Sequence, residues 1–76
     1  MTVPGPVAIE GEVIRLGQFL QVAGVADTGS DAKVLLADGE VSVNGVAECR
    51  RGRQLHSGDV VVFGDVAFEV VGPGER

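Results

Sequence analysis

The feature that most constrains this chain is a change of hydrophobic period at Gly39. Before it, apolar residues recur at helical spacing. After it, they alternate. Leu16, Phe19, Leu20 and Ala23 fall at i, i+3, i+4 and i+7, one face of a helix over Arg15 to Ala23. Gly24 is placed as its left-handed C-terminal stop. Gly17 sits in its first turn and costs about 1 kcal/mol there relative to Ala. A second helix is predicted over Ser30 to Asp38, with Ser30 as N-cap, Asp31 favourable to the dipole, and Ala32, Leu35 and Leu36 on the apolar face. Gly39 closes it. Helices this short do not persist alone in water, so both must pack on something.

From Val41 the period is two. Val41 and Val43 point one way, Ser42 and Asn44 the other. Asn44-Gly45 is the strongest two-residue hairpin signal, because a type I′ turn needs positive φ at both positions. The return strand is expected at Val46 to Cys49, followed by the polar loop Arg50-Arg51-Gly52-Arg53-Gln54. Leu55 to Asp59 leads into a turn. Val60 to Phe63 is a strand, Gly64-Asp65 a turn with Gly placed for type II′, and Val66 to Val71 the last strand. Upstream, Val7 to Glu10 reads as a strand ended by Gly11, with Glu12 to Ile14 as an extension. Strand, helix, helix and four short strands predict an α+β fold, with two short helices packed on a small, mostly antiparallel sheet of four to five strands. Residues 1–6 are expected to be a flexible lead-in, 7–71 the single domain, and 72–76 a flexible tail.

At 76 residues the chain is one small domain with little stability to spare. The absence of Trp and Tyr leaves Phe19, Phe63 and Phe68, all in apolar patterns and all expected in the core, so an aromatic stacking platform for bases is not expected. One cysteine, Cys49, forms no internal disulfide, and a half-buried, inert thiol is expected. The N-terminus lacks a signal-peptide pattern and no apolar run approaches a membrane span, so a cytoplasmic location is expected. No catalytic grouping, metal pattern or phosphate loop is visible. The expectation is a non-enzymatic protein with no cofactor, no metal and no small-molecule substrate. His56 is alone and reads as a surface residue.

The net charge is -5, which by itself speaks against a general nucleic-acid binder. The distribution speaks the other way. Arg15, Lys33, Arg50, Arg51 and Arg53 lie in the middle of the chain, three of them within four positions. Arginine suits phosphate, since its planar fork donates two parallel hydrogen bonds and keeps its charge. The competing readings are a solvated loop for Arg50, Arg51 and Arg53, pairing of Arg15 with Glu12 or Asp27, and pairing of Lys33 with Asp31.

Arg15-Leu16 with Phe19-Leu20, Ala32-Lys33 with Leu35-Leu36, Asp38 to Gly45, and Gly58-Asp59-Val60-Val61 together resemble the ribosomal-protein S-four type RNA-binding domain, the αL motif. The match runs from Arg15 to Phe63. Residues 16–24 and Arg50-Arg51-Gly52-Arg53 look closest to its small stand-alone bacterial members. The resemblance implies binding of structured RNA, ribosomal or transfer RNA, by the helices and hairpin region, with ribosomal proteins as possible further partners. It assigns contacts to Arg15, Ser30, Lys33, Arg50, Arg51 and Arg53. Asp31 departs from it, since many members carry a basic residue there. Two alternatives stand beside it. One is a protein–protein module docking on a ribonucleoprotein particle, favoured by the acidic charge. The other is a ubiquitin-like sulfur carrier, which Val41 to Gly45 and Gly58 to Val61 also resemble, but which needs a terminal Gly-Gly where this sequence ends Gly72-Pro73-Gly74-Glu75-Arg76. The RNA reading requires the basic side chains to converge on one face.

Overall fold

The computed structural model describes residues 4–75. The elements are β1 (Gly5–Ala8), β2 (Val13–Arg15), α1 (Leu16–Val22), α2 (Gly29–Ala37), β3 (Val41–Val43), β4 (Val46–Ala47), β5 (Gln54–His56), β6 (Val60–Phe63) and β7 (Val66–Val71), then one 3-10 turn at Pro73–Glu75. A five-stranded sheet has the order β1-β7-β6-β3-β4, and β2 and β5 form a separate pair. All neighbours are antiparallel except β1 and β7, where Gly5 faces Phe68 and Ala8 faces Val71. This is the expected α+β arrangement, with residues 1–3 and 76 of the expected flexible ends outside the described residues.

The apolar faces of both helices supply the helical side of the core. Leu16, Phe19 and Leu20 of α1 and Ala32 and Leu36 of α2 are buried with Val41, Val43, Leu55, Val61 and Val70. Each large side chain so removed from water contributes about 1.5–3 kcal/mol. Phe19 meets Phe68 edge-on at 6.5 Å between ring centres. Phe63 and Phe68 are half-buried around this core rather than inside it.

The period change at Gly39 is where helix gives way to sheet, and Gly39 has φ 74°. Asn44 and Gly45 have φ 52° and 86°, as the hairpin requires. Gly64 is positive at 59° while Asp65 is not, the pattern of a II′ turn.

Four local expectations are corrected. The strand expected at Val7 to Glu10 lies earlier, at Gly5–Ala8, and its expected extension is a different strand, β2, in the other sheet. The return strand is only Val46–Ala47. The stretch expected to run from loop into turn contains β5, where Leu55 is buried between exposed Gln54 and His56. A single buried residue is too short a pattern to show a period. Finally, the N-cap of α2 is Thr28 and not Ser30: Thr28 has extended φ and ψ of -137° and 169°, and its Oγ1 accepts from the Asp31 N–H at 3.1 Å. Thr28-Gly29-Ser30-Asp31 places an acidic residue at the third helical position, which favours capping from Thr28.

Candidate nucleic-acid interface

Three of the basic residues come from one loop, and that loop is built against the start of α1. Arg15, the N-cap residue of α1, makes no side-chain cap. The orphan N–H groups of the first turn are met instead from the loop's backbone. Leu16 N–H donates to the Arg53 carbonyl at 2.8 Å and Gly17 N–H to the Arg51 carbonyl at 3.0 Å. The approach is close. A Cβ at position 17 would stand 3.4 Å from the Arg51 Cβ and 3.6 Å from its carbonyl oxygen. The expected cost of Gly17 in helix propensity therefore has a counterpart: it lets the loop lie on the helix. β2 and β5 fasten the same junction, with Arg15 opposite Gln54.

The result is an open groove of about 460 Å³ lined by Arg15, Gln18 and Gln21 on the α1 side, Gly29 and Ala32 of α2, and Arg51 with Gly52 from the loop. Gln21 Nε2 and Arg51 Nη1 lie 3.9 and 4.0 Å from where a Cβ at Gly29 would stand, so both reach the start of α2. Among the described residues neither Arg15 nor Arg51 has an acidic partner within 4 Å, so the pairing of Arg15 with Glu12 or Asp27 is absent. Lys33 is likewise unpaired and exposed, next to groove-lining Ala32 but not itself in the lining. Ser30 is exposed in the first turn of α2 and also lies outside it.

Arg50 and Arg53 are directed elsewhere. The buried Glu48 carboxylate accepts from Arg50 Nε at 3.1 Å and Nη2 at 3.2 Å, and from Arg53 Nη1 at 3.1 Å. It also accepts from the backbone N–H groups of Cys49 at 3.1 Å and Arg50 at 3.3 Å. Glu48 N–H still donates to the Val41 carbonyl at 3.0 Å, and the pairing with β3 ends just after it, where the Cys49 and Arg50 N–H groups turn onto the Glu48 side chain. The Arg50 side-chain bonds, then that of Arg53, hold the Glu48 carboxyl down at about 2 against the opposing effect of burial. Glu48 in turn raises Arg50 above the ordinary arginine value.

Sequence reasoning placed Arg15 and Arg51 among the candidates, and the fold brings these two together. It missed Gln18, Gln21 and Glu48. The two glutamines gave no signal beyond lying on the polar face of α1. Glu48 gave one: a carboxylate two and five positions before arginines, on a chain about to leave a strand. Cys49 is exposed, not half-buried. His56 is on the surface, as expected, with its backbone N–H donating to Asp59 Oδ2 at 2.8 Å. Among the described residues no helix is long and apolar enough to cross a membrane.

The comparisons with known proteins agree with this architecture. Residues 7–71 match the S4 domain. A Bacillus subtilis (strain 168) protein named "Probable ribosome maturation protein RlbA" is 48% identical over 67 residues, covering 87% of this chain and 94% of the relative. YbcJ of Escherichia coli (strain K12), whose name assigns it RNA binding only provisionally, is 31% identical over 58 residues, covering 76% of this chain and 83% of its own length. With a match spanning both helices and every strand from β2 to β7, the chain belongs to the S4 domain family.

Proposed function

We propose that the chain is a non-catalytic cytoplasmic protein that binds structured RNA, ribosomal or transfer RNA, through the groove between α1, the start of α2 and the 50–53 loop. The observation that carries this reading is the convergence of Arg15 and Arg51, both without an acidic partner within 4 Å among the described residues, on one groove of an otherwise acidic chain. The arginines contact phosphates, and Gln18 and Gln21 supply neutral donors and acceptors beside them. Lys33 adds charge from the adjoining face of α2. Such contacts read backbone shape more than base identity. The relative named for ribosome maturation supports ribosomal RNA as the first RNA to test. The test is fluorescence anisotropy with ribosomal RNA fragments at low salt. The double reversal Arg15→Glu, Arg51→Glu should abolish binding while thermal unfolding stays near wild type. Wild-type binding that survives the reversal removes the reading.

The acidic charge favours a second reading, docking on a protein of a ribonucleoprotein particle. A second groove, lined by Glu10, Ile9, Val13, Ile14 and Val22, adjoins the first through Gln18 and Gln21. Pull-down with and without nuclease separates the two, because capture that survives nuclease belongs to a protein contact.

A further inference from the structure

The arginine cluster is not one surface. Three arginines in four positions divide into Arg51, which lines the groove, and Arg50 and Arg53, which are held by Glu48. We propose that Glu48 is the specificity-determining residue of the RNA site: as an internal stand-in for phosphate it occupies Arg50 and Arg53 and leaves Arg51, with Arg15, to meet the RNA. This rests on the RNA-binding reading above.

The geometry carries it in three ways. The carboxylate is buried while Arg50 is 74% exposed at its side chain, so the acid is fixed and the cation lies over it. Both fork positions of Arg50 that face the acid, Nε and Nη2, are used on its two oxygens, which is the bidentate arrangement a phosphate would otherwise take. The same carboxylate accepts the Cys49 and Arg50 backbone N–H groups, so it is anchored by the chain it organises. A phosphodiester brings one negative charge and must displace a carboxylate that is already in place. An exposed ion pair is weak in isolation, but this acid meets two guanidinium groups and two backbone donors at once.

The consequence is chemical selectivity. An open Arg-Arg-Gly-Arg run on a mobile loop would grip any polyanion, single-stranded or folded. With Glu48 in place the loop offers one free guanidinium, reaching toward the start of α2, and an RNA must also reach Arg15 across the groove to gain a second contact. Glu48 thereby trades general affinity for recognition of RNA whose phosphates fit the groove spacing.

The experiment compares wild type with Glu48→Gln on two probes, polyuridylate and bulk ribosomal RNA, across a salt series. For polyuridylate, freeing two arginines should steepen the slope of log affinity against log salt by about 1.4, at about 0.7 per added contact on a single strand. The preference for ribosomal RNA over polyuridylate should fall with it. Adding Arg50→Ala and Arg53→Ala to Glu48→Gln should restore the wild-type slope, whereas the same two changes in the wild-type background should leave it unaltered. An unchanged slope in a folded Glu48→Gln protein overturns the proposal. A measurement on the unmodified protein stands beside these: on titration with ribosomal RNA, the Arg51 Nε–H resonance should move and that of Arg50 should not. Equal movement of both overturns it as well. Wild type that binds neither probe at low salt removes the RNA-binding reading beneath it, whereas wild type that binds through Arg51 with an inert Glu48→Gln removes this inference alone.

Discussion

Asn44 shows how much one residue can fix. It takes φ 52°, which costs a residue without a locally bonding side chain about 1–2 kcal/mol. Its backbone N–H donates to the Val60 carbonyl at 2.8 Å, its Oδ1 accepts from Val60 N–H at 2.9 Å, and its Nδ2 donates to Asp59 Oδ1 at 3.1 Å. Hairpin and β5–β6 turn are therefore pinned to one another. Asn44→Ala should destabilise the fold by about 1–3 kcal/mol, read by chemical denaturation. Asn44→Gly should lose less, because glycine accepts the backbone angle. Glu48 supports a second prediction at this scale, in pH. Its carboxyl is ordinarily near 4.5 and is held at about 2 in the folded chain. A lowered value means that folding favours the ionised form, so the stabilisation is complete above pH 4.5 and is lost as pH falls toward 2. The difference in unfolding midpoint between wild type and Glu48→Gln should be constant from pH 6 to 8 and shrink progressively below about 4.5.

At the scale of elements, the two helices start by different devices. α2 is capped by a side chain, so Thr28→Ala should cost about 1 kcal/mol and leave the loop at 50–53 untouched. α1 is capped by the loop's carbonyls, and its stability and the site's geometry are one quantity. Gly17 controls that junction. Gly17→Ala places a methyl in van der Waals contact with Arg51 at 3.4 Å and regains helix propensity of up to about 1 kcal/mol, so it should be tolerated or slightly stabilising. Gly17→Leu must lift the loop away, with an expected loss of about 1–3 kcal/mol and weaker binding of ribosomal RNA, measurable by denaturation and anisotropy on the same sample. Loop and helix responding together to Gly17→Leu, but not to Thr28→Ala, would establish that the site's rigidity comes from backbone capping.

For the whole molecule, the charge pattern sets how RNA is met. Four or five phosphate contacts from Arg15, Lys33, Arg50, Arg51 and Arg53 would give a salt slope near -3 to -4 on a log scale. With Arg50 and Arg53 held by Glu48, only Arg15, Arg51 and Lys33 are without an acidic partner among the described residues. The slope for ribosomal RNA should therefore be shallower, about -2 to -3. A steeper slope in wild type would mean that RNA pulls the clamp open. The net charge of -5 also weakens approach to RNA from most directions, so affinity should depend on orientation at the groove and fall for RNA lacking structure.

Periodicity and turn chemistry are local, and what depends on them alone was legible in the residues. The helix-to-strand change at Gly39, the Asn44-Gly45 turn, the last two strands and the core faces of both helices follow from spacing that each segment carries within itself. The convergence of Arg15 with Arg51 was readable only as a condition on the packing of the helices. Other features had no local mark. β5 is a strand because β2 pairs with it, and one buried Leu55 cannot announce that. The start of α1 is satisfied by carbonyls more than thirty residues away. Most of all, the basic cluster looks uniform in one dimension because sequence counts charges, whereas hydrogen-bond direction divides them. Residue order determined that three arginines would stand together. Only the tertiary structure, by burying Glu48 beneath two of them and setting the third in the groove at the start of α2, decided which one is left without an acidic partner among the described residues.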